Sequence, residues 1–244
     1  MDEDTMVIGA YQDRNKASKN RTGSVYVYRR QEGTHWALEK KISPPDNGNA
    51  KYFGRFVAIK GNRIAVGDRA YDTRPRSELK LAKLPPMGAF WVYEHNTSTG
   101  DWTEPNPVTT NYGCDGWFGA SLAFTDNLGL LVGCPREDKK AGAVYYYEPS
   151  NAGYVLRQKM VASGLGKGVG SADKVSVHGS VMTVGTDKGV HLFLRVNNTW
   201  VNKAEIVPPE ESDGFGNGVA MSGNQVIVSS DSNVYFYELV DIHV

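Results

Sequence analysis

The sequence predicts an all-β protein, a β-propeller built from antiparallel blades of about four short strands each. One pattern of short apolar strands and Gly-rich turns recurs five times along the 244 residues. The 27 Gly residues suit a fold with many turns, and no segment has helical periodicity. Repeats of this length that consist of short strands are typical of propellers. We therefore interpret residues 1–244 as a single propeller domain.

Each repeat begins with an aromatic residue and Gly, followed by two short apolar strands that a tight turn connects. The clearest copies of the pair are Phe53-Gly54, Phe118-Gly119 and Phe215-Gly216, and Val169-Gly170 is a degenerate copy. We predict two-residue turns between the first and second strands, because their residues tolerate positive φ. These turns are Gly61-Asn62, Asp126-Asn127, His178-Gly179 and Gly223-Asn224.

A third strand that starts with Gly and carries aromatic residues follows after a loop of variable length. It covers residues 23–28, 88–93, 142–147 and 189–194. A fourth strand with one aromatic residue completes the repeat, at Trp36, Trp102, Tyr154 and Trp200. The five blades then span approximately residues 1–45, 53–109, 117–161, 167–207 and 214–244. The first blade lacks its first strand and the fifth its fourth, which leaves two alternatives. Either incomplete blades close the ring, or the chain is a piece of a longer protein.

Composition and charge exclude two classes of partner. Lys and Arg number 27, as do Asp and Glu, so no net field directs the chain toward nucleic acid or an acidic lipid surface. No run of about 18 apolar residues is present, so we expect no membrane span. The first residues lack the basic and apolar regions of a signal peptide, but the chain begins inside a repeat.

No pattern in the sequence points to a metal, a cofactor or a catalytic site. The five His residues fall in different blades at no zinc-ligand spacing, and two Cys cannot form a structural zinc cluster. The motif Gly-x-Ser-x-Gly is absent as well. We expect a protein that is not an enzyme. An enzyme with its site in the axial channel is the alternative, because residues from separate blades can converge there.

The repeat resembles the FG-GAP repeat, which forms the head propeller of integrin α-subunits. Phe-Gly stands at its head, and Gly133-Cys134-Pro135 and Gly9-Ala10-Tyr11 correspond to the Gly-Ala-Pro element at the end of the second strand. The resemblance covers nearly the whole chain. It implies an extracellular adhesion module, secreted or at the cell surface, that binds a protein or glycan through loops at one face. A structural scaffold within a larger multidomain protein is the alternative.

Many FG-GAP blades bind calcium in the loop between their first two strands, and this chain departs from that pattern. Calcium takes about six to eight oxygen ligands, so such a loop needs several carboxylates or carbonyls. The predicted turns are two residues long, and the best candidate, Thr125–Leu128, offers one carboxylate. We therefore expect the chain to resemble the calcium-free subset of the family.

The loops between the second and third strands are the predicted binding site. They leave the same face of a propeller, and they are long and positively charged in the first three blades only. The candidate residues are Arg14, Lys16, Lys19 and Arg21 in the first blade, Arg69, Tyr71, Arg74, Arg76 and Lys80 in the second, and Arg136 and Lys139 in the third. The competing interpretation is that these insertions are solvated and bind nothing.

Two further features bear on secretion. Cys114 and Cys134 are predicted to lie at the same rim of one blade, where they either form a disulfide or stay as two unpaired thiols. Sequons for N-glycosylation begin at Asn20, Asn96 and Asn197, all in predicted loops or strand ends. We expect a disulfide and glycans if the protein is secreted.

Overall fold

The computed structural model describes residues 1–14, 21–45, 50–74, 77, 85–110, 114, 116–137, 141–161, 174–186, 189–209 and 212–240. These residues form five small antiparallel sheets, which are the blades of an all-β propeller, and the predicted fold class is confirmed. Residue contacts divide the chain into two compact units, Met1–Leu122 and Ala123–Val244. Within the described part of the chain, no helix is long and apolar enough to cross a membrane.

Strands within each blade follow one another in sequence order, as an antiparallel meander. Blade 1 contains β1 (Thr5–Ala10), β2 (Ser24–Arg30) and β3 (Trp36–Ile42). Blade 2 contains β4 (Phe56–Lys60), β5 (Arg63–Asp68), β6 (Ala89–Asn96) and β7 (Asp101–Trp102). Blade 3 contains β8 (Leu122–Phe124), β9 (Leu130–Cys134), β10 (Ala143–Ser150) and β11 (Gly153–Val161). Blade 4 contains β12 (Val175–His178), β13 (Val181–Gly185), β14 (Val190–Val196) and β15 (Thr199–Ile206). Blade 5 contains β16 (Gly218–Ser222), β17 (Gln225–Ser229) and β18 (Val234–Glu238).

Two of the four predicted turns between first and second strands occur where we expected them. Gly61-Asn62 connects β4 to β5, and Gly223-Asn224 connects β16 to β17. In blade 4 the turn is shifted by one residue to Gly179-Ser180, because His178 still pairs with Val181. The two-residue hairpin is therefore the rule in blades 2, 4 and 5.

In blade 3 the prediction of a two-residue turn is wrong. β8 ends at Phe124 and β9 begins at Leu130, so residues 125–129 connect them. The backbone N–H of Thr125 donates to the carbonyl of Gly129 at 2.8 Å, which closes a wider loop. The positive φ expected at the predicted pair falls instead on Leu128, at +62°. Loop length therefore does not argue against calcium in blade 3, where the loop carries one carboxylate, and the absence of calcium stays a prediction.

The Phe-Gly pair that begins blade 2 is the contact point between blades 1 and 2. The carbonyl of Gly54 lies against Gly9 in β1, and the carbonyl of Phe53 lies against Gly23 at the head of β2. A Cβ atom at Gly9 or Gly23 would overlap these carbonyl oxygens, and the φ of Gly23 is +87°. Phe53 and Gly23 also form an isolated parallel bridge. We call this close backbone approach the inter-blade joint.

The joint recurs between later blades. Its other pairs are Gly67 with Gly119 and Gly88 with Phe118 between blades 2 and 3, and Gly185 with Gly216 between blades 4 and 5. In blade 5 the matching residue of the second strand is Ser229, which pairs with Gly218 as Gly67 pairs with Phe56. Blade 5 thus presents a Phe-Gly pair but lacks this glycine on its own second strand.

Aromatic rings beside the joints fill the space between blades. Phe53 is fully buried, and its ring meets that of Trp91 nearly edge-on, with 5.2 Å between the centroids. In the unit Ala123–Val244, Phe215 is buried and meets Tyr235 in the same way at 5.3 Å. Such ring pairs contribute about 0.5–1.5 kcal/mol beyond the area that they bury. The Phe of the repeat therefore supplies core packing where the Gly supplies close approach.

Replacing a joint glycine with alanine should destabilise the fold sharply. Gly67→Ala is expected to lose about 2–3 kcal/mol of unfolding free energy, because its methyl group would overlap the backbone carbonyl of Gly119. Urea unfolding followed by tryptophan fluorescence measures the loss.

Gly33→Ala is the matched control for this variant. Gly33 has a φ of +71° and no atom close to an added Cβ, so it should lose only about 1 kcal/mol through backbone strain. Equal losses in the two variants would contradict the steric role of the joint.

Candidate binding surface

Five side chains at the strand ends that carry the joints form one surface in the unit Met1–Leu122. They are Tyr11, which follows β1, Arg69, which follows β5, Tyr52 and Arg55, which flank Phe53-Gly54, and Trp117, which precedes Phe118. We call them the aromatic–arginine surface. The side chain of Tyr52 is exposed, and the other four residues are partly buried.

Guanidinium groups and aromatic rings form one continuous row of contacts along this surface. The guanidinium carbon of Arg69 lies 4.4 Å from the ring centroid of Trp117 and 5.8 Å from that of Tyr52. The Tyr52 ring lies 6.0 Å from the Tyr11 ring, and the guanidinium carbon of Arg55 lies 4.8 Å from the Tyr11 centroid. Each cation–π contact at such a site contributes about 0.5–1 kcal/mol. The row is thus held in place by its own contacts.

Asp68, at the end of β5, connects two backbone segments beneath this surface through hydrogen bonds. It is fully buried, and its carboxylate accepts hydrogen bonds from the backbone N–H groups of Lys51 (2.7 Å), Tyr52 (3.0 Å) and Ala70 (2.8 Å). Burial raises the pKa of Asp68, and the three backbone donors oppose that rise. The backbone on both sides of Arg69 is therefore fixed by one buried carboxylate.

The backbone of Trp117 has a φ of +70°, in the left-handed region. A bulky residue rarely adopts this conformation, which costs about 1–3 kcal/mol and is found most often at ligand sites and active sites. In this protein it accompanies the contact between the indole ring and Arg69.

Two residues that we predicted to bind a ligand have structural partners. Nη2 of Arg74 donates to Oδ2 of Asp72 and to the carbonyl of Pro85, both at 2.7 Å. Burial opposes ionisation of Asp72, but the hydrogen bonds from Arg74 outweigh it and lower the pKa of Asp72. Tyr71 is buried, and its ring packs against Trp91 at 5.2 Å between centroids, so it belongs to the core.

Arg14 and Arg21 lie opposite each other in an antiparallel bridge, and both are exposed. Like charges in directly opposite positions repel each other, so this loop favours a nearby anionic group. Arg136, in the unit Ala123–Val244, is partly buried. The remaining predicted ligand residues lie outside the described residues, namely Lys16, Lys19, Arg76, Lys80 and Lys139.

A cluster of carboxylate, tyrosine and lysine fixes the base of the loop in blade 1, and the sequence analysis missed it. Oδ2 of Asp13 accepts hydrogen bonds from Nζ of Lys41 and from the hydroxyl of Tyr26, each at 2.7 Å. Tyr26 and Lys41 are register partners on β2 and β3. These hydrogen bonds lower the pKa of Asp13 to about 2, and the bond from Lys41 has the larger effect.

The same cluster occurs in blade 3. Glu137 accepts hydrogen bonds from the hydroxyl of Tyr145 at 2.6 Å and from Nζ of Lys159 at 2.7 Å. Tyr145 and Lys159 are again register partners, on β10 and β11. In the sequence, this cluster could have been predicted from a tyrosine early in one strand and a lysine late in the next.

The structure describes both cysteines and two of the three asparagines that begin sequons. Cys114 and Cys134 are both disulfide-bonded, and the chain has no other cysteine. Asn96 is exposed at the end of β6, and Asn197 is exposed in the turn between β14 and β15. Asn20 lies outside the described residues. Glycosylation of these asparagines stays a prediction.

The model of the FG-GAP repeat family matches residues 1–28 and 36–78. Those residues contain most of blade 1, the first two strands of blade 2 and the joint between them. This part of the chain matches the FG-GAP repeat. The predicted resemblance is thereby confirmed, and the Phe and Gly that begin an FG-GAP repeat serve here as one half of an inter-blade joint.

Two solved structures share the fold of this chain. One is a proposed 6-phosphogluconolactonase from Bacteroides uniformis, at 14% identity and a TM-score of 0.61, with 98% of this chain and 66% of that chain covered. The other is a functionally unknown protein from Desulfotomaculum acetoxidans, at 10% identity and a TM-score of 0.60, with 96% and 66% covered. The chain thus spans just under two thirds of either protein. Identities this low show the fold alone.

The Asp13 cluster should make part of the stability depend on acid pH. The pKa of Asp13 is about 2 in the folded protein and about 3.9 in an unfolded chain. Ionised Asp13 therefore stabilises the fold above about pH 4, and this stabilisation is lost as the pH falls toward 2. Asp13→Asn should lose stability at about pH 6 and show a smaller deficit at about pH 2.5, measured by urea unfolding.

Asp101→Asn, at an exposed residue, is the control and should follow the original protein at both pH values. If the deficit of Asp13→Asn were the same at both pH values, the ionised carboxylate would not be its cause.

Proposed function

We propose that this chain is a non-catalytic recognition and adhesion module, at the cell surface or secreted, that binds a protein or glycan through the aromatic–arginine surface. The row of contacts between guanidinium groups and aromatic rings in that surface carries the proposal. Tyr, Trp and Arg are the residue types that dominate binding energy at protein interfaces. Their rings are held in place before binding, which lowers the entropy that a ligand must offset.

The charges around the surface favour an anionic group on the ligand. Three acidic residues of these loops already have partners inside the protein: Asp13 binds Lys41, Asp68 binds backbone amides, and Asp72 binds Arg74. Arg14 and Arg21 are exposed beside each other. Such a surface attracts an acidic partner and fixes its orientation.

Two further observations support the proposal. Disulfide-bonded Cys114 and Cys134 are typical of proteins that work in an oxidising compartment, outside the cytosol. The guanidinium groups of Arg55 and Arg69 are stacked on aromatic rings, which suits a surface that binds a partner by contact. The lactonase assignment belongs to a protein of 14% identity, and it brings no site residue to this chain.

Charge reversal at the loop of blade 1 tests the proposal. The protein is applied to a printed array of neutral, sialylated and sulfated glycans and to a set of purified extracellular proteins. We expect selective binding that Arg14→Glu/Arg21→Glu weakens by about tenfold or more, because the acidic group of the ligand would lose its counter-charges. Arg69→Ala should weaken the same binding by removing the cation between Tyr52 and Trp117.

Arg30→Glu is the matched control, since Arg30 is exposed at the far end of β2, next to Asp4. It should bind like the original protein. Binding to none of the probes, or equal binding by all variants, would favour a structural scaffold.

A further inference from the structure

A polar pocket of about 340 Å³ lies between blades 3 and 4, in the unit Ala123–Val244. Three turns line it: residues 125–127 from the loop between β8 and β9, Gly179-Ser180 between β12 and β13, and Asn197-Asn198 between β14 and β15. Arg195 completes the lining. In each blade these turns lie at the strand ends opposite the loops that follow the second strands, and none of the residues that line the pocket belongs to the proposed recognition site.

The walls of the pocket are fixed by their backbone conformations. Asn197 and Asn198 have φ values of +48° and +63°, as a tight two-residue hairpin turn requires. The loop of blade 3 is the one that departs from the two-residue rule, and its Thr125 hydroxyl bonds the side chain of Asn127 at 2.6 Å. This hydrogen bond fixes the side chain of Asn127 at the pocket.

Arg195 is held rigidly at the pocket. Its Nη2 donates to Glu148 at 2.9 Å, and its guanidinium carbon lies 5.1 Å from the ring centroid of Tyr146. Its side chain is 16% exposed, and its buried Nε donates to no acceptor among the described residues. Glu148 also accepts a hydrogen bond from Arg157 at 3.1 Å, so one carboxylate serves two guanidinium groups. Arg195 therefore presents a guanidinium group of fixed orientation to the pocket.

The chemistry of the lining matches a polyhydroxylated ligand. It presents the amides of Asn127, Asn197 and Asn198, the hydroxyl of Ser180, one carboxylate and one guanidinium. Amides and hydroxyls offer both donors and acceptors, which sugar hydroxyls can pair with in turn. Among the described residues that line the pocket, none has a large apolar side chain that would select an apolar ligand.

We propose that this pocket binds a single sugar residue, with its ring hydroxyls paired to the side-chain amides and to Arg195. Asn197 also begins a sequon, so a glycan attached there would occupy the rim of the same pocket. The protein for the test is therefore produced in bacteria, where Asn197 stays unmodified.

The test is saturation-transfer NMR with free glucose, galactose, mannose, fucose, N-acetylglucosamine and glucuronic acid as probes at millimolar concentrations. We expect transfer to at least one of them. Asn197→Gly/Asn198→Gly keeps the turn, because Gly accepts positive φ, and removes both amides. The transfer signal of the binding sugar should fall at least about fivefold, since two of its hydrogen-bond partners are lost.

Asn224→Gly, in the turn of blade 5, is the matched control and should leave the signal unchanged. Absence of transfer from every sugar overturns the proposal. Equal transfer with the double variant overturns it as well, because the sugar then binds elsewhere. Arg195→Lys, checked for an unchanged melting temperature, should also weaken binding, because lysine lacks the planar donor fork.

Discussion

The close approach of a Phe-Gly backbone to the glycines of the preceding blade is the constraint on which the rest of this structure depends. Between blades 1 and 2, carbonyl groups occupy the space where Gly9 and Gly23 would otherwise carry side chains. The Phe ring beside the joint is buried against Trp91, so the same dipeptide supplies both the contact and the packing. A packed interior tolerates little change in volume, which is why these positions accept no larger residue.

The candidate binding surface follows from the joints. Tyr52 and Arg55 flank one Phe-Gly pair and Trp117 precedes the next, so the joints bring these side chains to neighbouring positions. Asp68 then bonds the backbone beneath them. Residues that interact with a ligand are thus positioned by the most constrained part of the fold, which favours a surface with a fixed shape.

Much of the fold could be predicted from the sequence, because strand alternation and repeated Gly positions are local signals. Side-chain pairing could not. Arg74 looked like an exposed loop cation, yet its partner Asp72 is two residues away and Pro85 closes the arrangement from the far side of the loop. The loop of blade 3 was mispredicted because Asp126-Asn127 tolerates positive φ without requiring it, whereas the hydrogen bonds of Thr125 decide the loop length.

Because of Ser229, blade 5 can form the inter-blade joint on one side only. A blade that both presents a Phe-Gly pair and offers a second-strand glycine, as blade 2 does with Phe53-Gly54 and Gly67, can be duplicated in tandem, because each copy would fit the next. Blade 5 presents its pair but has a serine hydroxymethyl group where the next carbonyl would lie. Gene duplication of a blade such as blade 2 would therefore give a copy that forms a joint with its neighbour. A copy of blade 5 placed after blade 5 would not form that joint.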